Sequence, residues 1–194
     1  VINFSNALLQ SSVNSFGSTT MAGYTAANNI FGFLYVSVNA ITQACMSFTS
    51  QNYGLRKLKR MDKILIDCLI LTVVVSLVLG GGVYLFGAEI LRLYTEEVEV
   101  IRCGIEIFAY TTVTYFLCGI MDLFPGALRG MDRSTVPMIL SVIGTVGTRI
   151  VWVFWLFPAH RSLAFLFISY PASWLITIAM QVICFYLVRR KVHG

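Results

Sequence analysis

The chain has 194 residues, of which 57% are hydrophobic and only 12% charged, with a mean hydropathy of +0.78. A water-soluble domain carries about a quarter charged residues, so this composition excludes one and specifies an integral membrane protein. The net charge of +5 would suit an acidic partner such as nucleic acid, but the basic residues sit in short loops between apolar runs, as membrane topology alone requires.

No charged residue precedes Arg56. Fifty-five uncharged residues suit two membrane crossings joined by a turn at Ser15-Phe16-Gly17-Ser18. The chain opens without an initiator Met or a signal peptide, on Val1 within a helical pattern, and is therefore expected to be a piece of a longer protein. Six helices are predicted, over residues 1–14 (truncated), 22–49, 64–88, 105–124, 136–157 and 162–188. Each full segment reaches the roughly 20 residues needed to cross a bilayer core.

On the first segment Asn3, Asn6, Gln10 and Asn14 recur every three or four residues, as do Asn28, Gly32, Tyr35, Asn39 and Gln43 on the second. That is the spacing of one helical face. Lipid cannot satisfy amide groups, so both stripes face either a polar cavity or neighbouring helices that hydrogen-bond them. The cavity is the expectation adopted, since the two stripes lie on consecutive helices joined by a short turn. Gly80-Gly81-Gly82 in the third segment is read as permitting close helix packing.

Loops set the topology. Residues 51–63, 125–135 and the tail carry ten basic residues on one side, against Arg92, Arg102 and Arg161 on the other, where Glu89, Glu96, Glu97 and Glu99 also fall. The basic side is thereby assigned to the cytoplasm, which includes the C-terminus. Trp152, Trp155, Tyr84 and Tyr94 are expected to form an aromatic belt at the outer interface.

The fourth segment carries the sharpest signal. Asp122 stands one turn before Pro125, with Gly119, Gly126 and Gly130 around them. A carboxylate facing lipid costs a few kcal/mol, so Asp122 is placed toward a packed or hydrated interior, or else paired with Arg129 or Arg133. Pro125 frees one backbone carbonyl and is read as a hinge. In the fifth segment Arg149 either snorkels to the outer surface or pairs inside the bundle. Asp67 is expected to pair with the basic loop one turn away at Lys63. The five cysteines are spaced singly, with no CxxC and no metal spacing to His160 or His193. They read as apolar packing residues, and no metal or organic cofactor is expected.

Five stretches carry a more specific resemblance: SFGSTTMAGYTAA from Ser15, FTSQNYG from Phe48, LYTEEVEVI from Leu93, GALRGMDRSTVPM from Gly126 and ISYPASW from Ile168. In this order they resemble the multidrug and toxic compound extrusion (MATE) family, the last being similar to a bacterial branch of it. The resemblance implies an all-α fold of twelve helices in two six-helix lobes, and this chain as the C-terminal lobe without its N-terminal partner. It implies an antiporter of the bacterial plasma membrane, not an enzyme, exporting amphiphilic, cationic compounds in exchange for Na⁺ or H⁺. Asp122 is then the candidate coupling site. The substrate-cavity candidates are Asn3, Asn6, Gln10, Asn28, Tyr35, Asn39, Gln43 and Arg149, with Pro125 the hinge.

Two departures stand out. Leu55-Arg56-Lys57 replaces the family's Gly-rich turn, and Cys118 holds the position of a carboxylate that some members carry one turn before Asp122. Two other readings stand beside this one. A lipid-linked-sugar flippase of similar architecture would call for a strongly basic cavity, and an intramembrane aspartyl protease would need Asp67 and Asp122 to face each other.

Overall fold

The computed structural model describes residues 9–159 and 162–193, which form helices and turns. Asn3 and Asn6 lie outside the described residues. α1 is the helical stretch at 9–14, and a turn at Gly17 (φ 102°) leads into α2, Ser18–Gly54. α3 is Leu58–Leu85, α4 is Gly87–Arg92, α5 is Val98–Thr111 and α6 is Tyr115–Gly130. α7, Thr135–Ser141, continues through a π-helical turn, Val142–Gly147, into α8, Thr148–Val151, and a second π-helical turn at Trp152–Leu156. α9, Leu163–His193, ends the described chain.

The arrangement inverts that of a water-soluble protein. α3 turns Ile66, Ile70 and Val78 outward, while burying Thr72, Ser76 and Gly80. Apolar residues outside and small polar ones inside suit a helix with lipid on its outer face. Among the described residues four helical spans are long and apolar enough to cross a membrane, and α5 with α6 makes a fifth if counted as one broken span. Helices outrun the predicted apolar segments because polar ends stay helical in the headgroup layer. α2 alone has 37 residues, about 56 Å at 1.5 Å per residue.

The segment predicted as one helix over 105–124 is broken. α5 and α6 meet at a 53° bend across residues 112–114, and α6 runs through Pro125 as one helix. Threonine hydroxyls stand at the break. The hydroxyls of Thr112 and Thr114 donate to the carbonyls of Phe108 and Tyr110, four residues back, at 2.6 and 3.1 Å. Such back-bonding competes with the helical ladder and bends it.

α6 is the central strut, and its glycines face α2 and α3. A Cβ on Gly126 would lie 2.9 Å from Thr42 Cγ2, and one on Gly130 would lie 2.7 Å from the Met46 carbonyl. One on Gly119 would strike Thr72. Small residues four apart let two backbones approach, which is how helices associate where lipid removes the hydrophobic drive. Gly80 plays the same part for α3, with the Thr112 carbonyl 2.8 Å from where its Cβ would stand. α3 is unbroken there, and of the three glycines only Gly80 serves packing, since nothing lies within 4 Å of a Cβ on Gly81 or Gly82.

At the basic end Arg56 adopts φ 53° in the α2–α3 turn, the left-handed conformation that glycine takes without strain. The ion pair at this end joins Arg189 to Asp62, with Nε and Nη2 donating to the two carboxylate oxygens at 2.8 and 2.7 Å. It does not join Lys63 to Asp67, which is exposed on α3. Asp62 faces α9 and finds a planar, two-pronged partner there.

Candidate functional site

The residues with chemical potential gather where α2, α6, α8 and α9 meet. α6 brings Tyr115, Cys118 and Asp122 onto one face at intervals of three and four. Asp122 is half-buried, and Tyr35 on α2 stands near enough to act on it electrostatically. Arg129, two turns further on, acts on Asp122 electrostatically but forms no ion pair with it, and Arg133 is exposed. The expected alternative of pairing at the headgroup layer is not realised. Asp67 is exposed, and the groups acting on Asp122 are Tyr35 and Arg129, so the facing carboxylates of an aspartyl protease are not formed.

Above this carboxylate, counted toward the acidic end, lies an aromatic nest. Tyr115 stacks on Phe31, centroids 5.9 Å apart, and its hydroxyl donates to the Phe31 carbonyl at 3.2 Å. Trp174 packs edge-on against Tyr115 and Tyr170, at 6.1 and 5.8 Å. The Tyr170 hydroxyl meets that of Tyr24 at 3.1 Å. Arg149 enters this nest with its guanidinium carbon 4.3 Å from the Tyr170 ring centre, and only 3% of the residue is exposed. Of the two alternatives for Arg149, burial within the bundle is the one realised, with the Tyr170 ring against its guanidinium. The π-helical turn just before it, at Val142–Gly147, resets the register. Gly144 in that turn seats against Thr177 and Met180 of α9. Cys118 stands between the two charges, within electrostatic reach of both Asp122 and Arg149.

The other predicted residues spread along α2. Asn28, Tyr35 and Asn39 are half-buried, Gln43 is exposed and donates to Asn39 at 3.5 Å, and Gln10 on α1 is exposed. Asn28, Tyr35, Asn39 and Gln43 share a flank of α2 between its packed face and its open one, and of these Tyr35 acts on Asp122. Pro125 is buried one turn below Asp122.

Sequence reasoning passed over Tyr24, Tyr115 and Tyr170 as site residues. Their signal was present in the i, i+4 pair Tyr170 and Trp174 and in tyrosines with no place in a lipid-facing stripe. Of the proposed outer belt, Trp155, Tyr84 and Tyr94 are exposed. Trp152 instead turns inward, donating Nε1 to the Phe165 carbonyl at 3.0 Å.

A multi-span helical lobe that buries an arginine and several tyrosines beside a half-buried carboxylate is a membrane protein built around an internal polar site. The comparisons name the family. The MatE family model matches residues 1–155, and the chain belongs to that family. It is 21% identical over 182 residues to the probable multidrug resistance protein YoeA of Bacillus subtilis (strain 168), covering 93% of this chain and 39% of YoeA. It is 23% identical over 131 residues to the probable multidrug resistance protein NorM of Bacillus anthracis, covering 68% of this chain and 29% of NorM. The chain thus spans well under half the length of these relatives.

Among solved structures, the Vibrio cholerae MATE transporter VcmN in the bent form superposes with TM-score 0.87 at 17% identity, covering 98% of this chain and 43% of that one. A MOP superfamily transporter from Pyrococcus furiosus, described as having a binding pocket of reverse polarity, superposes equally well. Its TM-score is 0.87 at 17% identity, over 99% of this chain and 44% of that one. These likenesses show the fold.

Proposed function

We propose that this chain forms one lobe of a two-lobe efflux antiporter that exports amphiphilic, cationic compounds in exchange for Na⁺ or H⁺ by alternating access. The observation that carries the reading is Asp122. A carboxylate at membrane depth costs several kcal/mol unless something neutralises it. Here no cation of the described residues stands at ion-pair distance. A proton or a small cation supplies that neutralisation, with Tyr35 holding the carboxylate in place.

Ion and drug then bias one equilibrium between two lobe shapes, each by its differential affinity for them. The bend at 112–114 and the proline at 125 bracket Asp122, so the two weakest points of the α5–α6 helical ladder lie either side of the group whose charge changes. The half-buried flank of α2 provides amides and the Tyr35 ring for a flat cation. Its open side awaits the second lobe of the same protein, which the partial coverage of the relatives supports. The lobe sits in the bacterial plasma membrane with the Arg56–Lys63 turn and the C-terminus in the cytoplasm. A lipid-linked sugar would call for several cavity cations. Among the described residues the buried ones are Arg149 and the ion-paired Arg189.

The test is Asp122→Asn in the full-length protein. It should abolish ion-driven efflux of a fluorescent cationic dye from cells while purified protein still binds the dye. Efflux at the wild-type rate would remove Asp122 from coupling.

A further inference from the structure

We infer that Cys45 and Cys68 form a two-thiol site for a thiophilic d¹⁰ metal ion of the Hg²⁺ class. Spacing along the chain conceals the pair, which the α2–α3 hairpin assembles. Cys45 lies ten residues before the turn at Leu55–Lys57, and Cys68 lies eleven after it. Antiparallel helices bring the two to one level, where Cys68 packs against the cluster that buries Cys45 and each thiol lies within electrostatic reach of the other. Both belong to one apolar cluster with Leu65, Leu123 and Phe124. Cys45 is fully buried and Cys68 half-buried, so the pair has a closed floor and an open edge toward the bilayer.

Chemistry selects the ligand. Thiolates are soft donors that hold d¹⁰ ions, and a linear two-coordinate ion needs no third ligand. Among the described residues no group of three or more metal-binding side chains exists to offer a higher coordination. When Hg²⁺ binds, two S–H bonds break and two S–Hg bonds form. Two protons leave with the displaced chlorides, and no electron is transferred. The product, Hg(SR)₂, is neutral, which suits an apolar cluster where a net charge would be costly. A monovalent ion on the same two thiolates would leave a net negative charge there. HgCl₂ itself is neutral and enters a bilayer, so it reaches Cys68 from the lipid side. Cys118 and Cys184 do not share this arrangement: Cys118 lies in a different apolar cluster, within electrostatic reach of Asp122 and Arg149, and Cys184 packs with Met61, Leu128 and Met131.

The experiment titrates the purified full-length protein with HgCl₂, then denatures it, labels the remaining thiols with a maleimide and maps them by mass spectrometry. At one equivalent, Cys45 and Cys68 should be protected together, with an ultraviolet Hg–S charge-transfer band. Removing the metal with a monothiol should require about 10²–10⁴ times more competitor than for Cys68→Ala, as expected when a second contact becomes intramolecular. Cys184→Ala should retain the tight site. Should Cys45→Ala fail to fold, Cys68→Ser at the half-buried edge tests the same loss. Protection scattered over the other cysteines at one equivalent, or equally tight binding by Cys68→Ala and Cys68→Ser, overturns the proposal.

Discussion

Gly130→Ala isolates the contact that sets the spacing of α2 and α6. The added methyl would stand 2.7 Å from the Met46 carbonyl oxygen and 2.9 Å from Thr49 Cβ, where ordinary contact begins at 3.4 Å. The obstructing oxygen is backbone and cannot rotate away, so α2 and α6 must part by about 0.7 Å at that level. Overpacking of this kind costs about 1–3 kcal/mol, and the better helix propensity of alanine returns about 1 kcal/mol. The net expectation is a loss of up to about 2 kcal/mol. Gly126→Ala should cost less, because its nearest neighbour at 2.9 Å is the end of the Thr42 side chain. Gly32→Ala is the control: nothing lies within 4 Å of its Cβ position, so it should leave stability unchanged or raise it. The assay is the midpoint of thermal unfolding of the full-length protein in detergent. The expected order is Gly32→Ala at or above wild type, then Gly126→Ala, then Gly130→Ala. A Gly130→Ala protein as stable as wild type would refute the close-packed α2–α6 interface.

Asp62→Asn removes the two-pronged pair with Arg189. Because the Asp62 side chain is 44% exposed, solvent screening holds the loss to about 1 kcal/mol, and high salt should shrink the difference in unfolding midpoint. Thr112→Val deletes a buried hydroxyl that donates to the Phe108 carbonyl. It should straighten the α5–α6 bend, read as a change in distance between spin labels placed on the two helices. Pro125→Ala should slow dye efflux without weakening dye binding, and an unchanged rate would leave Pro125 a packing residue. For topology, single cysteines at positions 57, 97 and 190 in a cysteine-free background should react with an impermeant outside reagent at 97 alone. Labelling at 57 would invert the assignment.

Much of this fold is legible in the sequence because a bilayer leaves a helix few options. Runs of Val, Leu and Ile such as 69–79 have no other stable use, and the basic turns between them stand out from so sparse a charge content. The bend in the fourth segment was misplaced for a physical reason. Pro125 is the loudest local signal, yet α6 accommodates it. The break lies instead at residues 112–114, where threonine hydroxyls bond carbonyls four residues back, a quieter signal.

Arg149 illustrates a second limit. Its depth follows from counting residues, but its direction depends on a π-helical turn at 142–147 that an ideal helical wheel does not contain. Asp62 and Arg189 lie 127 residues apart, so a reading that sought partners one turn away chose Lys63 and Asp67 instead. The Tyr24, Tyr170 and Trp174 nest was half visible, since two of the motifs behind the family resemblance contain it. What those motifs could not supply was the third dimension that puts Arg149 among them.

The most direct test of the account is a drug-driven ion flux. Proteoliposomes holding the full-length protein are given a gradient of a cationic drug and no ion gradient, and luminal pH and Na⁺ are recorded together. The account predicts that drug moving one way drives H⁺ or Na⁺ the other way in wild type. Asp122→Asn should abolish the ion movement while equilibrium drug binding persists. Ion movement by Asp122→Asn at the wild-type ratio to drug would contradict it and place the coupling group elsewhere in the protein.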